Sequence, residues 1–300
     1  METTKYIWLN GEFIAWDEAK IHVLTHSLHY GGAVFEGIRV YETAKGAAVF
    51  RLRDHTKRLF YSAAVFKMKV PFSEEEINSA TLELLRRTGL KQGYIRPIIY
   101  FGYGKMGLNP KGAPVDVAIA CWPWGAYLPH EMVDIKVSKY MRIHPRSTVC
   151  DAKISGHYVN SILAVQQLEG SHYHEALLLD FDGNIAEGPG ENFFIVSKGH
   201  IYTPPLGTIL AGITRDTVIK IASNLGVCVT EKILRPEDVW SADEAFFTGT
   251  AAEVTLIRSL DDRQIGNSGK PGEISQQIKD AYLDVVYGRD SRFETYLSRV

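Results

Sequence analysis

The sequence predicts a mixed α/β (α+β) fold in two domains. Its 300 residues are enough for one large domain or two ordinary ones. Short apolar runs that suit strands alternate with amphipathic stretches that suit helices. A stretch with two prolines, a glycine and two large aromatic residues interrupts this order at 123–129. We therefore expect a small α/β domain at residues 1–122, an interdomain loop at 123–134 and a larger domain at 135–300.

Composition excludes several classes of function. The chain is 45% hydrophobic and 23% charged, which is ordinary for a globular protein. Its formal net charge of −2 gives no long-range attraction to nucleic acid or anionic lipid. The apolar runs are too short to span a bilayer, and the N-terminus has no signal-peptide pattern, so we expect a cytoplasmic protein. The three cysteines fit a reduced compartment and neither a disulfide framework nor a zinc site.

The first domain begins with strong local signals. Asn10-Gly11 between two apolar runs predicts a hairpin over residues 6–16. Strands are expected at 33–41 and 47–50, followed by a helix at 51–69. Ser73 and Glu76 form a capping-box pattern before a second helix that Gly89 ends.

The strand at 93–101 has an unusual face, because Arg96 lies between Tyr94 and Tyr100 on a two-residue period. Pro97 predicts an edge strand or a locally irregular one. A buried arginine needs an anionic partner, whereas an arginine at a strand edge can reach water. A further strand is expected at 115–122.

The second domain is predicted to contain strands and helices in alternation. Strands are expected at 135–138, 176–180, 185–187, 193–196 and 245–253, with helices from 159 to about 168, from 213 to 225 and from 274 to 287. The tail beyond Gly288 looks loosely held.

Three histidines, His22, His26 and His29, share a helical face and could suggest a metal site. No carboxylate accompanies them and the segment runs into Gly31-Gly32, so we interpret them as structural histidines.

The chemistry of the chain centres on Lys153, which lies among small and apolar residues. Burial favours a neutral lysine amine, which can form a Schiff base with a carbonyl group. The alternative from this stretch alone is a lysine at a helix start with its ammonium group in water. Glu187 ends an apolar strand and would need a partner if buried. The turn ending at Gly212 precedes a helix, whose free N–H groups could hold a phosphate or only water.

Together, ordered segments along nearly the whole chain resemble the branched-chain aminotransferases, which belong to the D-amino-acid-aminotransferase-like fold group (fold type IV) of pyridoxal phosphate enzymes. The segments are His29-Tyr30-Gly31, Phe35-Glu36-Gly37-Ile38-Arg39, Tyr94-Ile95-Arg96-Pro97, Met106-Gly107-Leu108-Asn109-Pro110, Pro123-Trp124-Gly125-Ala126-Tyr127, Ala152-Lys153 with Gly156 and Tyr158, Glu187-Gly188 with Gly190-Glu191-Asn192, Gly212-Ile213-Thr214-Arg215 and Gly249-Thr250-Ala251-Ala252-Glu253.

This resemblance implies a larger pseudo-barrel domain that binds pyridoxal 5'-phosphate, with Lys153 as the Schiff-base lysine and a ping-pong reaction. It implies that Glu187 pairs with the pyridine nitrogen, Tyr158 with the phenolic oxygen and Arg58 with the phosphate. The implied cofactor-binding set is Arg58, Lys153, Tyr158, Glu187, Leu210, Gly212, Ile213, Thr214, Gly249 and Thr250.

The resemblance also implies substrates: Leu, Ile or Val on one side and glutamate with 2-oxoglutarate on the other. Tyr94, with the N–H groups of Thr250 and Ala251, matches the α-carboxylate site. The remaining implied substrate residues are Tyr30, Arg96 and Tyr127 for the side-chain carboxylate of glutamate, and Phe35 and Trp124 for the apolar wall. We expect tyrosines to partner the arginine when an aliphatic side chain is bound, and we expect a homodimer or a higher homo-oligomer.

Three positions depart from the family pattern: Gly32, His157 and Pro189. A D-amino-acid or (R)-amine transaminase, or an aminodeoxychorismate lyase, would have the same fold. A cofactor-binding protein without catalysis would be expected to lack Lys153 or Glu187, and both are present.

Overall fold

The structure is a computed structural model, and it describes residues 2–125, 127–128 and 130–300. The expected loop at 123–134 therefore includes two positions, 126 and 129, that lie outside the described residues. The chain forms two compact units. The first comprises the chain up to Gly125, together with Ala152–Gly156 and Val285–Val300. The second comprises the described part of 126–151 together with His157–Asp284.

The described residues contain strands and helices in mixed order. The strands are β1 (Tyr6–Leu9), β2 (Glu12–Ala15), β3 (Ala33–Phe35), β4 (Ile38–Thr43), β5 (Gly46–Phe50), β6 (Gly93–Phe101), β7 (Val115–Trp122), β8 (Met132–Val137), β9 (Glu175–Leu179), β10 (Ile185–Glu187), β11 (Asn192–Ser197), β12 (His200–Thr203), β13 (Val229–Glu231), β14 (Glu244–Gly249), β15 (Glu253–Leu260), β16 (Arg263–Gln264) and β17 (Leu297–Arg299). The α-helices are α1 (His26–Tyr30), α2 (Leu52–Val65), α3 (Glu74–Thr88), α4 (Tyr158–Gln166), α5 (Ile213–Asn224), α6 (Pro236–Trp240) and α7 (Glu273–Val286). This arrangement is the mixed α/β fold that the sequence predicts.

In the described part of the first unit, eight strands form one sheet in the order β17-β5-β4-β6-β7-β1-β2, with β3 paired to β6. The predicted hairpin is confirmed, since β1 and β2 pair from Tyr6↔Ala15 to Leu9↔Glu12. The capping box at the start of α3 is also confirmed: Ser73 Oγ accepts from Glu76 N, and the Glu76 side chain accepts from Ser73 N. Helices α2 and α3 bury Leu59, Ile77 and Leu84 in the core of this unit.

The prediction of one strand at 33–41 and the edge position predicted for Pro97 are both wrong. The chain breaks at Glu36-Gly37 into β3 and β4, which both pair with β6 on the same side. Strand β6 is central, because β7 pairs along its other side. Pro97 lies at the junction between the β3 and β4 pairings, so the local irregularity that was the alternative prediction accommodates its missing N–H.

Strands of the second unit close into a ring. Their order is β10-β9-β8-β15-β14-β11-β12-β13 among the described residues, and β10 also pairs with β11. The six strands from β10 to β11 thus form the pseudo-barrel that the family resemblance implies. The pairs β8–β9, β8–β15 and β12–β13 are parallel and the others antiparallel. Phe193 and Phe247, on adjacent strands, are fully buried in the core of this unit.

The tail beyond Gly288 is ordered in the fold, so the prediction of a loosely held tail is wrong. A 3-10 helix at Ser291–Tyr296 leads into β17, which pairs with β5 from Leu297↔Phe50 to Arg299↔Ala48. The sequence division placed this tail, like residues 152–156, in the second domain. Long-range pairing, which has no local sequence signal, places both segments in the first unit. None of the helices described is both long and apolar enough to cross a bilayer.

Candidate functional site

Lys153 is held through its backbone in the first unit. Its N–H donates to Ser62 Oγ at 2.9 Å, and its carbonyl oxygen accepts from Phe35 N at 3.2 Å. The next residue, Ile154, forms a β-bridge with Val34. The Lys153 Nζ atom lies 5.1 Å from the centroid of the Phe35 ring. Backbone pairing to β3 therefore places the lysine. It lies just before a 3-10 turn at Ser155–His157, which leads into α4.

A buried charged cluster lies beside this segment. Glu36 is 0% exposed and accepts two hydrogen bonds from Arg58, from Nε at 2.7 Å and from one terminal nitrogen at 2.9 Å. Since a carboxylate can only accept, His55 donates from Nδ1 to Glu36 at 2.7 Å. The sequence reasoning identified Arg58 but missed its partner Glu36, and it missed His55, which donates to the same carboxylate.

Electrostatics in this cluster favour an ionised glutamate and a neutral histidine. Burial raises the pKa of the Glu36 carboxyl, but the charge of Arg58 and the hydrogen bonds from Arg58 and His55 outweigh burial and hold that pKa well below its usual value. Burial lowers the pKa of His55, and the charges of Arg58 and Lys153 lower it further, while the bond to Glu36 opposes them. Glu36 thus balances the charge of Arg58 and orients its guanidinium group.

Arg96 occupies an aromatic environment in the same unit. Its Cζ atom lies 4.8 Å from the centroid of Phe35, 5.4 Å from that of Tyr94 and 5.9 Å from that of Trp122. Its Nε atom is buried and has no hydrogen-bond partner among the residues that the structure describes. Arg96 thus faces the flat sides of aromatic rings, one of which belongs to a tyrosine.

The other substrate residues expected in the first unit differ in burial and in the contacts that hold them. Tyr94 is buried, and its hydroxyl occupies the space above Gly37, where a Cβ atom would lie 1.7 Å from it. Arg39 donates to the carbonyl oxygens of Trp124 and Gly125, both at 3.1 Å, and so holds the end of the chain that leaves β7. Tyr30 is 43% exposed, and its ring packs beside that of His26.

The histidines near Tyr30 bond to backbone atoms. His26 Nε2 lies 2.8 Å from the Gly107 carbonyl oxygen and His29 Nε2 lies 2.8 Å from that of Val23. The His22 Nδ1 atom accepts from Leu24 N at 3.0 Å. The rings of His22 and His29 therefore fix the local chain conformation, and that of His26 joins two distant segments, as the structural interpretation predicts.

Glu187 in the second unit is 5% exposed and bonds to several donors. Arg142 donates from Nε at 2.5 Å, Asn192 from Nδ2 at 3.0 Å and Leu210 from its backbone N–H at 3.2 Å. Asn192 is the register partner of Glu187 across the β10–β11 loop, which explains why their side chains meet. The expectation that Glu187 is buried and partnered is confirmed; sequence reasoning missed Arg142, which lies 45 residues away.

The start of α5 presents backbone donors. Gly212 is its N-cap residue, and glycine has no side chain that could cap the helix. The Asn192 amide packs against Gly212 so closely that a Cβ atom there would lie 1.9 Å from Asn192 Oδ1. The same amide donates to Leu210 O at 2.9 Å. Asn192 thus connects Glu187 to the turn before α5, and the N–H groups at Ile213 and Thr214 start a helix whose dipole favours an anion.

Three further expected residues lie at the end of β14: Gly249 is its last residue, and Thr250 and Ala251 begin the turn that follows. Thr248, just before the turn, is buried, and its Oγ1 has no hydrogen-bond partner among the residues that the structure describes. Thr250 and Ala251 are half-buried. A turn of this kind supplies N–H and hydroxyl donors next to a strand end.

Tyr158 is the first residue of α4 and is half-buried. The departure at His157 has a local partner, since its Nε2 lies 2.6 Å from Thr148 Oγ1. Tyr127 hydrogen-bonds to the side chain of Glu175, which is 2% exposed. Burial raises the pKa of Glu175 to about 7, although hydrogen bonds from Ala176 and Tyr127 oppose the shift.

These donor sets fit a phosphorylated pyridine aldehyde. Taken separately, the start of α5, with glycine at its N-cap, and the Arg58 guanidinium are each suited to a phosphate dianion. The buried carboxylate of Glu187, which accepts from an arginine, is suited to a protonated ring nitrogen. Lys153 supplies an amine that can bond to an aldehyde carbon.

Comparison with known proteins identifies the family. The model of the amino-transferase class IV family matches residues 33–260. The chain belongs to that family, so it is an aminotransferase of fold type IV, and pyridoxal phosphate is the cofactor that the family implies.

Similar proteins indicate which type of aminotransferase the chain is. The branched-chain-amino-acid aminotransferase of Pseudomonas aeruginosa is 46% identical over 287 residues, covering 94% of this chain and 93% of that protein. The Escherichia coli (strain K12) enzyme of the same name is 43% identical over 295 residues, covering 95% of each. A crystal structure of the T.th. branched-chain amino acid aminotransferase complexed with N-(5'-phosphopyridoxyl)-L-glutamate is 44% identical, covers 100% of this chain and 99% of its own, and has a TM-score of 0.96. Within its family, the chain is an enzyme of the branched-chain-amino-acid aminotransferase type.

Proposed function

We propose that this enzyme moves the amino group between L-Leu, L-Ile or L-Val and 2-oxoglutarate in a ping-pong reaction with pyridoxal 5'-phosphate. The observation that supports this best is the placement of Phe35. The centroid of its ring lies 5.1 Å from the Lys153 amine and 4.8 Å from Cζ of the Arg96 guanidinium. A nucleophilic amine, an apolar surface and an anion-binding group are thus neighbours, which suits both an aliphatic and a carboxylate side chain.

The cofactor, when bound, supplies an electron sink that permits loss of the substrate Cα proton, and it carries the amino group between the two substrates. Lys153 is the proposed attachment residue. In this role its amine also takes the proton from the substrate Cα and returns it at the cofactor C4′ atom. The backbone bonds to Ser62 and Phe35 fix the position from which the side chain extends.

Glu187 is proposed to hold a proton at the pyridine nitrogen. Hydrogen bonds from Arg142, Asn192 and Leu210 support this role, because they fix the orientation of the carboxylate. Tyr158 is proposed to donate its hydroxyl hydrogen to the phenolic oxygen.

Phosphate binding is proposed for Arg58, for the turn and helix start at Leu210, Gly212, Ile213 and Thr214, and for Gly249 and Thr250. Arg58 supports this role because Glu36 bonds to one edge of its planar guanidinium group and thereby fixes the plane. The α5 start supports it because its N-cap residue is a glycine and the helix dipole favours an anion at this end.

Substrate recognition is proposed for two groups of residues. Tyr94, with the N–H groups of Thr250 and Ala251, binds the α-carboxylate. The substrate side chain is bound by Tyr30, Arg96, Tyr127, Phe35 and Trp124. Gly37 supports the role of Tyr94, since only a residue without a Cβ atom leaves room for its hydroxyl.

A homodimer is the proposed assembly. Two segments of the first unit, residues 21–30 and 102–108, are joined by the bond from His26 N to Gly102 O and by the packing of His22 on Tyr103. They carry exposed large apolar side chains, of which Leu108 is 87% exposed. A surface of this kind is typical of an interface. The cytoplasmic location predicted from the sequence stays a prediction, and the three free cysteines agree with it.

The half-reaction tests the function. Adding L-Leu or L-Glu to the cofactor-loaded enzyme should convert its absorbance band, and D-Ala or an (R)-arylamine should not. Conversion by D-Ala without L-Leu would assign the chain to a D-amino-acid transaminase instead. Lys153→Ala should lower multiple-turnover activity by about 10²–10⁴-fold, because both attachment and proton transfer are lost. Lys45→Ala, at an exposed position, is the matched control.

Oligomeric state tests the assembly. Leu108→Asp should shift the enzyme toward the monomer in sedimentation velocity, because a charge would be buried in the interface. Ile233→Asp, at an exposed apolar position of the second unit, should leave the mass unchanged.

A further inference from the structure

Arg96 presents an electrostatic problem that the proposed function leaves open. The residue is half-buried, and no carboxylate pairs with it among the residues that the structure describes. Glutamate would supply a carboxylate, but a bound Leu, Ile or Val would exclude water from the guanidinium without neutralising it. An unpaired cation in such a place is unfavourable.

The aromatic rings of Phe35, Tyr94 and Trp122, called here the aromatic cage, lie around this guanidinium. All three centroids are within 5.9 Å of Arg96 Cζ. Strand register explains the arrangement. Tyr94 and Arg96 are two residues apart on β6, Trp122 on β7 is the register partner of Tyr94, and Phe35 on β3 is the register partner of Ile98. The four side chains therefore share one face of the sheet.

Trp122 is the member of the aromatic cage that has no other assigned role. Its ring packs against those of Tyr94 and Trp124 at centroid distances of 5.3 and 6.0 Å. An indole ring has the most favourable face for a cation, and this attraction strengthens when water is removed. Binding of an aliphatic side chain removes that water.

We propose that Trp122 is a specificity-determining residue: with Phe35 and Tyr94 it stabilises the Arg96 guanidinium while an aliphatic substrate is bound, and it matters less when a dicarboxylate is bound. This inference rests on the proposed role of Arg96 toward glutamate. A simple apolar wall would tolerate replacement of the ring by leucine, whereas a ring that stabilises the guanidinium would not, and its loss would selectively weaken the binding of aliphatic ligands.

Two unreactive probes test the proposal: 4-methylpentanoate, which has the shape of leucine without its amine, and glutarate, which has a second carboxylate. Their dissociation constants are measured on the cofactor-loaded enzyme from the change in cofactor absorbance. In Trp122→Leu the constant for 4-methylpentanoate should rise about threefold to tenfold, and that for glutarate less than about twofold. Trp122→Phe, which keeps an aromatic face, should stay within about twofold of the unmodified enzyme for both probes. Equal weakening of both probes, or a larger loss for glutarate, overturns the proposal.

A double-mutant cycle connects the effect to the guanidinium. In an Arg96→Met background, Trp122→Leu should no longer discriminate between the probes, and a persistent preference overturns the proposal. Arg96→Met alone should weaken glutarate and spare 4-methylpentanoate. If Arg96→Met does not weaken glutarate selectively, the proposed role of Arg96 is wrong. If Arg96→Met does so but Trp122→Leu weakens both probes equally, only the proposed role of Trp122 is wrong. Far-ultraviolet dichroism and thermal melting verify folding, and Trp122→Met replaces Trp122→Leu should the latter not fold.

Discussion

Glu36 in the first unit and Glu175 in the second are buried to almost the same degree, at 0% and 2% exposure, yet their carboxyl groups behave in opposite ways. Arg58 and His55 hold the pKa of Glu36 well below its usual value, whereas burial raises the pKa of Glu175 to about 7. Burial by itself raises the pKa of both carboxyl groups. The difference is that Glu36 accepts two charge-assisted bonds from an arginine, whereas Glu175 accepts, within the described part of the chain, from a backbone N–H and a tyrosine.

Function follows from this contrast. Glu187 resembles Glu36, because an arginine donates to it in a buried place. The two carboxylates that the proposed function needs as permanent anions thus each have an arginine, one beside Lys153 and one at the end of β10. Glu175 has none and is a group that can gain or lose a proton near neutral pH.

The largest expected effect comes from making Glu36 resemble Glu175. Arg58→Met should lower the free energy of unfolding of the cofactor-free protein by about 3–5 kcal/mol at about pH 8, since it leaves a buried carboxylate unpaired. In the variant the pKa of Glu36 rises, so the deficit should shrink as the pH falls to about 5 and the carboxyl becomes neutral. Urea denaturation at the two pH values measures both quantities.

The double variant Glu36→Gln with Arg58→Met is the control for that experiment. Removing both charges should recover most of the lost stability, because neither buried group then lacks a partner. A double variant as unstable as Arg58→Met would contradict the electrostatic explanation and would indicate a packing defect.

A smaller effect is expected at Glu187. Arg142→Met should destabilise the cofactor-free protein by about 2–3 kcal/mol, less than Arg58→Met because Asn192 and Leu210 still donate to the carboxylate. Binding of the cofactor should reduce this deficit, since a protonated pyridine would replace the arginine as the cationic partner. Thermal melting with and without cofactor measures the difference; an unchanged deficit would argue against the role proposed for Glu187.

The smallest effect has the opposite sign. Glu175→Gln should stabilise the protein by about 2 kcal/mol at about pH 8 and leave it unchanged at about pH 4.5. The native state holds the Glu175 proton more tightly than the unfolded chain, so the unmodified protein loses stability as the pH rises from about 4.5 to about 7. Glutamine stays neutral and avoids that loss. Asp17→Asn, at an exposed position, is the control in the same pH series.

Local chemistry explains what could be predicted of the fold. The β1–β2 hairpin follows from Asn10-Gly11, the start of α3 from Ser73 and Glu76, and its end from Gly89. Each of these signals acts within a few residues. The central position of β6 and the pairing of β17 could not be predicted, because they depend on which distant strands compete for an edge.

The candidate site likewise has residues that the sequence could identify and partners that it could not. Sequence alone could identify Lys153, Glu187, Arg58 and the turn at Gly212. Each is either a reactive or charged group in an unusual local setting or part of a family motif. Their partners could not be: Glu36 and Arg58 are 22 residues apart, Arg142 and Glu187 are 45 apart, and Trp122 reaches Arg96 only across a strand pair. Sequence reasoning was enough to select the side chains that are proposed to carry the chemistry. Whether a buried carboxyl group such as Glu36 or Glu175 is charged follows from the tertiary structure, because the free energy of a buried charge depends on neighbours that folding brings together.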